Sequence, residues 1–307
     1  MNGYSLINIF LALICAPFLL SIINRVKAFW AGRHGQPLLQ PYYDLIKLLQ
    51  KESVYSRTTT WVFAAGPVGG LAIALLLITL IPLAGIPALF SFRGDIFLLI
   101  YLLALLRFLT IISALDTGSS FEGMGASRES FFSAMAEPAF AIGLIALVKM
   151  TGQTSLSGCF THFSFALWND ISAPLLLVLS AWVIVFLVEN ARIPIDDPNT
   201  HLELTMIHEV MVLDHSGPDF AFIQYTSSLK MWVLGMLLIN VLVPFHTGKI
   251  IIDLLIAIGS LFLLATLIGI IESVMARLRL VRIPQLLIVA GTFSILAFIL
   301  IIRSQIT

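Results

Sequence analysis

The sequence predicts an all-α, polytopic membrane protein with about eight transmembrane helices and structured loops. Three observations carry this. Of 307 residues, 59% are hydrophobic and 11% charged, against about 25% charged in a soluble domain. Mean hydropathy is +1.01. The apolar residues also form continuous runs near the ~20 residues that cross ~30 Å of hydrocarbon, not the alternating strands of a membrane barrel. In lipid the backbone must satisfy itself within each segment, so such runs fold as helices.

The predicted spans lie at about 4–24, 62–90, 96–115, 131–151, 171–190, 230–245, 250–274 and 284–302. The sixth is the shortest. The second ends in Pro82 and Pro87, so its last part is expected to leave the membrane. The eighth holds no charge and reads as an anchor. All 307 residues form one transmembrane domain, with a loop at 25–61 and an acidic loop at 190–229.

Orientation follows from lysine and arginine placement. With the N-terminus outside, the inner segments hold Arg25, Lys27, Arg33, Lys47, Lys51, Arg57, Arg128, Arg192, Lys230, Arg277, Arg279 and Arg282. The outer segments hold only Arg93, Lys249 and Arg303. Arg107 and Lys149 fall within spans. This bias puts both loops on the cytoplasmic side of a bacterial or archaeal inner membrane. A net charge of zero implies no polyanionic partner, so nucleic acid is not expected.

The 25–61 loop is punctuated by Gly32, Gly35 and Pro37. Pro41 to Lys51 then reads as a short amphipathic helix opened by proline. Tyr42, Leu45, Ile46 and Leu49 share one face, and Lys47, Gln50 and Lys51 the other. Such a helix lies at the lipid surface or offers its polar face to a soluble partner.

Between spans three and four, Gly118, Gly123 and Gly125 permit close backbone approach. Glu129, Ser133 and Glu137 follow at steps of four along one helical face. Glu137 precedes Pro138, where a helix loses a hydrogen bond. A carboxylate inside a span costs about 2.5–3.5 kcal/mol on insertion scales, so it has either a function or a structural ion-pair partner such as Arg128 or Arg107.

The third inner loop organises the chain. It holds Glu189, Asp196, Asp197, Glu203, Glu209, Asp214 and Asp219, and three of the six histidines. Pro194 and Pro198 break the preceding helix. Asp197, or Thr200 with Glu203, can cap a new helix running to about Asp214 and ended by Gly217-Pro218. On that helix His201, His208 and His215 share a stripe about 10 Å apart, too far for one metal. A zincin pattern fails because position 212 is Val212. Hydrogen-bonded packing and proton relay are the two readings of these histidines.

Cys15 and Cys159 lack metal-type neighbours, so no metal or cluster is expected in this chain. The Leu13-Ile14-Cys15-Ala16 stretch has the outline of a lipoprotein cleavage site, but lacks a basic leader and places a bulky Ile before the cysteine. No phosphate-binding loop, Ser–His–Asp spacing or dinucleotide fingerprint is present. What is present is a set of carboxyls, Glu137, Glu189 and Glu272 in spans with Glu203 and Glu209 beside them, as a proton path from an aqueous surface into a bilayer requires.

The order of motifs resembles the membrane subunit family shared by respiratory complex I (its subunit 1) and the group 4 membrane-bound nickel–iron hydrogenases. Four stretches carry the likeness: Arg33 to Leu49, Leu115 to Glu129, Glu137-Pro138, and Glu189 to Glu209 with His215-Ser216-Gly217. After Pro194 this chain has Ile195-Asp196-Asp197-Pro198-Asn199-Thr200-His201-Leu202-Glu203, not the Phe-Asp-Leu and Glu-Ala-Glu-x-Glu-Leu run of complex I members and the formate hydrogenlyase type. It therefore looks more like the hydrogenase-4-like and energy-converting hydrogenase branch. The resemblance implies a subunit without catalysis of its own. It would anchor hydrophilic iron–sulfur and nickel–iron subunits, which hold the cofactors, and contact antiporter-like membrane subunits. By matching position it assigns Glu137, Glu189, Glu203, Glu209 and Glu272 to the proton path, which His208 joins as a histidine able to relay protons, and Arg25, Arg33, Asp44, Lys47, Asp116, Arg128, Asp196 and Asp197 to docking or loop ordering. A quinone-site subunit of a complex I-like dehydrogenase and a stand-alone ion transporter are the rival readings.

Overall fold

A computed structural model describes residues 3–196, 206–244 and 247–306. Every helix or turn of helix named below lies within these residues. The long helices are α1 (Gly3–Trp30), α3 (Trp61–Leu80), α4 (Asp95–Asp116), α5 (Ser120–Thr151), α8 (Ser172–Glu189), α9 (Gly217–Leu242), α10 (Ile250–Val274) and α11 (Ile283–Ile306). All eight are long and apolar enough to cross a membrane. Three short helices, α2 (Gln40–Leu49), α6 (Leu156–Thr161) and α7 (Phe165–Asp170), sit in the connections. The chain is a multi-pass, all-α membrane protein.

Helix α9 is the central one, more buried than any other span. It packs against α1, α2, α3, α8 and α10, while α5 packs against α4, α8 and α11. Trp232 on α9, with Leu77, Leu99, Leu144 and Leu147 from α3, α4 and α5, belongs to the fully buried core. Helices α10 and α11 stand at the periphery, with Leu255, Leu263, Ile295 and Ile299 exposed as a lipid-facing surface requires.

Two internal prolines are built into the tertiary structure. Proline removes an N–H and frees the carbonyl four residues earlier. Pro17 in α1 frees Leu13, whose carbonyl accepts a hydrogen bond from Tyr225 Oη at 2.9 Å. One residue on, the Ile14 carbonyl accepts from Tyr42 Oη of α2. Pro67 in α3 frees Phe63, whose carbonyl accepts from Ser113 Oγ at 3.1 Å. Each break in one helix is thus filled by a side chain of another.

Several sequence expectations change. The second span stops at Leu80, because Pro82 and Pro87 leave residues 81–94 outside a helix, with a tight Leu83–Ile86 turn. The fourth begins eleven residues early, at Ser120, and keeps Pro138 inside it. The sixth, expected to be the shortest, runs from Gly217 to Leu242. Gly217-Pro218 opens a helix where it was expected to close one. The pair is ambiguous, since proline fits a first turn as well as the residues after a last one. Gly217 has φ +55, and a Cβ there would lie 2.6 Å from the Glu52 carbonyl oxygen. Ser216 Oγ meanwhile accepts from Val54 N at 3.0 Å, tying this corner to the 25–61 loop. On α2 the half-buried face is Tyr42, Leu45 and Leu48, whereas Tyr43, Ile46 and Leu49 are each more than half exposed. The face shared by Tyr42, Leu45, Ile46 and Leu49 is therefore split. The helix packs edge-on against α1 and α9 and leaves an apolar strip outward.

Candidate functional site

Arg107 stands in the middle of α4, 7% exposed, inside an otherwise apolar span. Its guanidinium is planar with donors on three nitrogens, and each nitrogen meets a different carboxylate. Nη1 pairs with Glu137 and Nη2 with Glu189, while Nε lies 3.5 Å from Glu129 Oε1. Glu129 and Glu137 come from α5, two turns apart, and Glu189 from the last turn of α8. Glu189 also pairs with Lys230 Nζ of α9 at 3.1 Å. Glu129 Oε2 lies 3.3 Å from His208 Nδ1. Two permanent cations thus face three carboxylates, and His208 supplies the balancing charge when protonated.

The loop that carries His208 is shaped by Asp196. Its buried carboxylate accepts from Ile207 N at 3.0 Å and His208 N at 3.1 Å, and pairs with Arg277 at 2.8 Å. Arg128 Nη1 donates to the Met206 carbonyl at 2.8 Å. Gly125 lets this loop lie on α5, since a Cβ there would fall 2.4 Å from Val210 Cγ1 and 2.9 Å from the Ile207 carbonyl oxygen. Burial disfavours the His208 imidazolium, but the Glu129 carboxylate outweighs it and raises its pKa above the ordinary 6.5.

A cavity of about 300 Å³ opens beside the cluster. Arg107, Glu129, Glu189, Lys230 and His208 line one part of it, and Asn24, Gln36 and Asp44 another. A third part is marked by His215, whose ring stacks on Phe63 with centroids 3.9 Å apart. Burial pushes its pKa down to about 4, partly offset by Asp219 and Asp214. Ser113 Oγ donates to the Phe63 carbonyl, so His215 Nε2 at 3.3 Å is the donor in their contact. The neutral ring therefore carries its proton on Nε2.

The sequence-predicted residues divide. Glu137, Glu189 and His208 join the Arg107 cluster, and Glu209 lines the cavity. Glu272 does not reach Arg107. It forms a separate buried cluster, 2.9 Å from Lys27 Nζ of α1 and 3.6 Å from Arg192 Nη1. Glu203, Asp197 and His201, with the helix expected to start among them, lie outside the described residues. From 206 onward there is a 3-10 turn at Glu209–Val212, not a continuous helix. His208 and His215 therefore share no stripe; irregular backbone sends one to Glu129 and the other to Phe63.

Among the docking or loop-ordering residues, Asp196 and Arg128 bind the loop as described. Asp116 accepts from Thr60 N, Thr60 Oγ1 and Phe63 N at the start of α3. Arg25 donates to the Gly35 and Gln36 carbonyls, and Asp44 accepts from Gln40. Arg33 and Lys47 are exposed. Arg107 was expected only as a structural ion-pair partner of the span carboxylate, which its pair with Glu137 matches, and Lys230 was not expected in the site. An arginine inside a span was a legible signal, but Lys230 was hidden by a boundary that started its helix thirteen residues too late. Among the described residues no group of three or more His, Cys, Asp or Glu side chains is placed to hold a metal ion.

These features define a class: an all-helical membrane protein with a paired charge cluster buried in its bundle and an aqueous-type cavity leading to it. The chain belongs to the NADH dehydrogenase family, whose pattern matches residues 4–303. It is 32% identical to formate hydrogenlyase subunit 4 of Escherichia coli, covering 96% of this chain and 97% of that one. It is 27% identical to hydrogenase-4 component C of the same organism, covering 96% and 94%. With a subunit of the NADH-quinone oxidoreductase of Rubrobacter xylanophilus it shares 26% identity over 74% of this chain and 70% of that one. The loop sequence set the formate hydrogenlyase type apart, yet over the full length that protein is more similar than hydrogenase-4 component C. The fold is shared with a chain of an archaeal respiratory membrane complex, the membrane-bound sulfane sulfur reductase. That match has a TM-score of 0.79 at 19% identity, covering 95% of this chain and 98% of the other.

Proposed function

We propose that this chain is the membrane anchor and proton-coupling subunit of an energy-converting, nickel–iron hydrogenase complex. The observation that carries the reading is the Arg107 cluster: three carboxylates and a histidine from three elements, gathered around one buried guanidinium and reached by a cavity. Near full-length similarity to two hydrogenase-complex subunits favours the hydrogenase branch over the quinone-reducing one. The iron–sulfur clusters and the nickel–iron site belong to hydrophilic partner subunits. Those subunits dock at the end of the bundle that carries the 25–61 and 190–216 loops, on the cytoplasmic side with the N-terminus outside. Antiporter-like membrane subunits lie alongside.

In this reading His208 takes up a proton at Nδ1 from the cavity. Doing so neutralises the excess negative charge of the cluster and strengthens its pair with Glu129. Moving the loop toward the partner subunits separates the two, the proton passing from His208 Nδ1 to Glu129 Oε2 as they part, so that His208 leaves neutral and Glu129 remains protonated. Arg107 then rebalances toward Glu137 and Glu189, which spreads the change across α4, α5 and α8. Glu209, which lines the cavity, serves the entrance, and Glu203 is a further member of the path.

The test is affinity purification of the tagged chain in mild detergent, with mass spectrometry and metal analysis. Co-purifying nickel, iron–sulfur proteins and antiporter-like subunits support the reading. Iron–sulfur proteins with bound quinone and no nickel replace it with the complex I-like one. A partner-free chain that moves ions in liposomes replaces both. In the intact complex, Glu203→Gln and Glu209→Gln should lower proton uptake per electron; unchanged coupling would leave an anchor alone.

A further inference from the structure

The three carboxylates around Arg107 are not equally enclosed. The side chains of Glu129 and Glu189 are 7% and 8% exposed, and that of Glu137 is 39% exposed. They are not equally compensated either. Glu189 has Lys230 and Glu129 has His208, but Glu137 shares only one nitrogen of Arg107. Glu137 thus looks outward through the seam between α4 and α5, with the weakest counter-charge of the three.

Its depth makes that exposure costly. It lies 14 residues before the end of α5 at Thr151, about 21 Å at 1.5 Å per residue. Its partner Arg107 lies nine residues before the end of α4 at Asp116, about 14 Å. Both therefore lie well inside their helices, farther from either helix end than a glutamate side chain reaches. The surrounding surface is lipid-grade: Phe108, Phe131 and Leu105 are exposed, with Ala134 and Pro138 beside them. Hydrocarbon accepts that surface but not a part-exposed carboxylate in its midst, since ionisable groups at this depth face protein or water.

We propose that the outward face of α4 and α5 around Glu137 is covered, in the assembled complex, by a transmembrane helix of a separate membrane subunit bearing a basic side chain at the depth of Glu137. The small Ala134 and the ring of Pro138 let that helix approach closely, as interhelical contacts in membranes prefer. The basic group gives Glu137 a partner beyond the single nitrogen it shares with Arg107, and makes Glu137 the link from this chain's cluster to its neighbour. The proposal rests on the reading of the chain as one subunit of a larger membrane complex.

The experiment places a benzophenone-bearing amino acid at Ala134, and separately at Phe108, in the full complex in native membranes. Irradiated products are separated by mass and the adducts mapped by mass spectrometry. The expected result is a shift of the chain to a heavier band. The mapped peptide should come from a transmembrane segment of another subunit, with Lys, Arg or His within one helical turn of the adduct. Lipid adducts alone, an adduct to a second copy of this chain, or an adduct to a helix without a basic residue there would overturn it. Purification of the same complex in mild detergent separates the two levels. Partners retained with only lipid adducts at 108 and 134 removes the α4–α5 face and leaves the subunit reading standing. A partner-free chain removes both.

Discussion

The two ends of the bundle use buried carboxylates in different ways. At the end far from the 190–216 loop, Asp95 and Asp253 are buried. Asp95 Oδ1 accepts from Leu156 N at 2.7 Å, and Asp253 Oδ1 accepts from Thr247 N at 2.8 Å and Thr247 Oγ1 at 2.6 Å. Each closes a turn. At the other end Glu129, Glu137, Glu189 and Glu272 pair with side-chain cations on other elements. Burial is therefore a poor marker of function here. What separates the two ends is whether the partner is a fixed backbone N–H or a side-chain charge that can be shared or released.

The largest expected effect breaks the comparison outright. Arg107→Met leaves three carboxylates without their common cation, and removing one partner of a buried ion pair costs about 3–5 kcal/mol. The complex should unfold at clearly lower temperature in detergent and lose electron-linked proton uptake. Normal uptake in a stably assembled Arg107→Met complex would mean that the cluster is scaffolding, like Asp95.

Asp95→Ala tests the other side. It orphans Leu156 N at a cost of about 1–3 kcal/mol, so thermal stability should fall while protons moved per electron stay the same. A change in that ratio would mean both ends belong to one path.

Two single-bond changes follow. Tyr225→Phe leaves the carbonyl freed by Pro17 without its donor, and Ser113→Ala does the same for Pro67. Each should cost about 1 kcal/mol, read as a small fall in melting temperature. Ser113→Ala also deprives His215 Nε2 of its acceptor, so it should be the more harmful of the two.

The smallest effect concerns pH. His208 gains a partner on folding and its pKa rises above 6.5, so its contribution is complete below pH 6.5 and is lost as pH climbs through the raised value. His215 behaves oppositely. With its pKa pushed down to about 4, its contribution is complete above pH 6.5 and falls away as pH drops toward 4. Stability-against-pH curves should therefore flatten on the alkaline side in His208→Gln and on the acid side in His215→Gln. Identical curves for variants and parent would show that neither ring titrates differently in the folded chain.

By itself the sequence determined the class, the number of spans and much of the acidic inventory. Hydrophobic runs and charge placement are local properties, and a bilayer leaves few ways to satisfy them. It also pointed to Glu137, Glu189 and His208 as residues whose place needed explaining. Tertiary structure decided the rest. Arg107 gathers carboxylates from two other helices that no spacing connects, and Glu272, similar in sequence terms to Glu189, went to Lys27 because α10 packs against α1. Gly217-Pro218 became a helix start once the Glu52 carbonyl stood where a side chain would have been. Pairing across helices depends on which faces meet, and that information is spread over the whole chain rather than held in any one stretch of it.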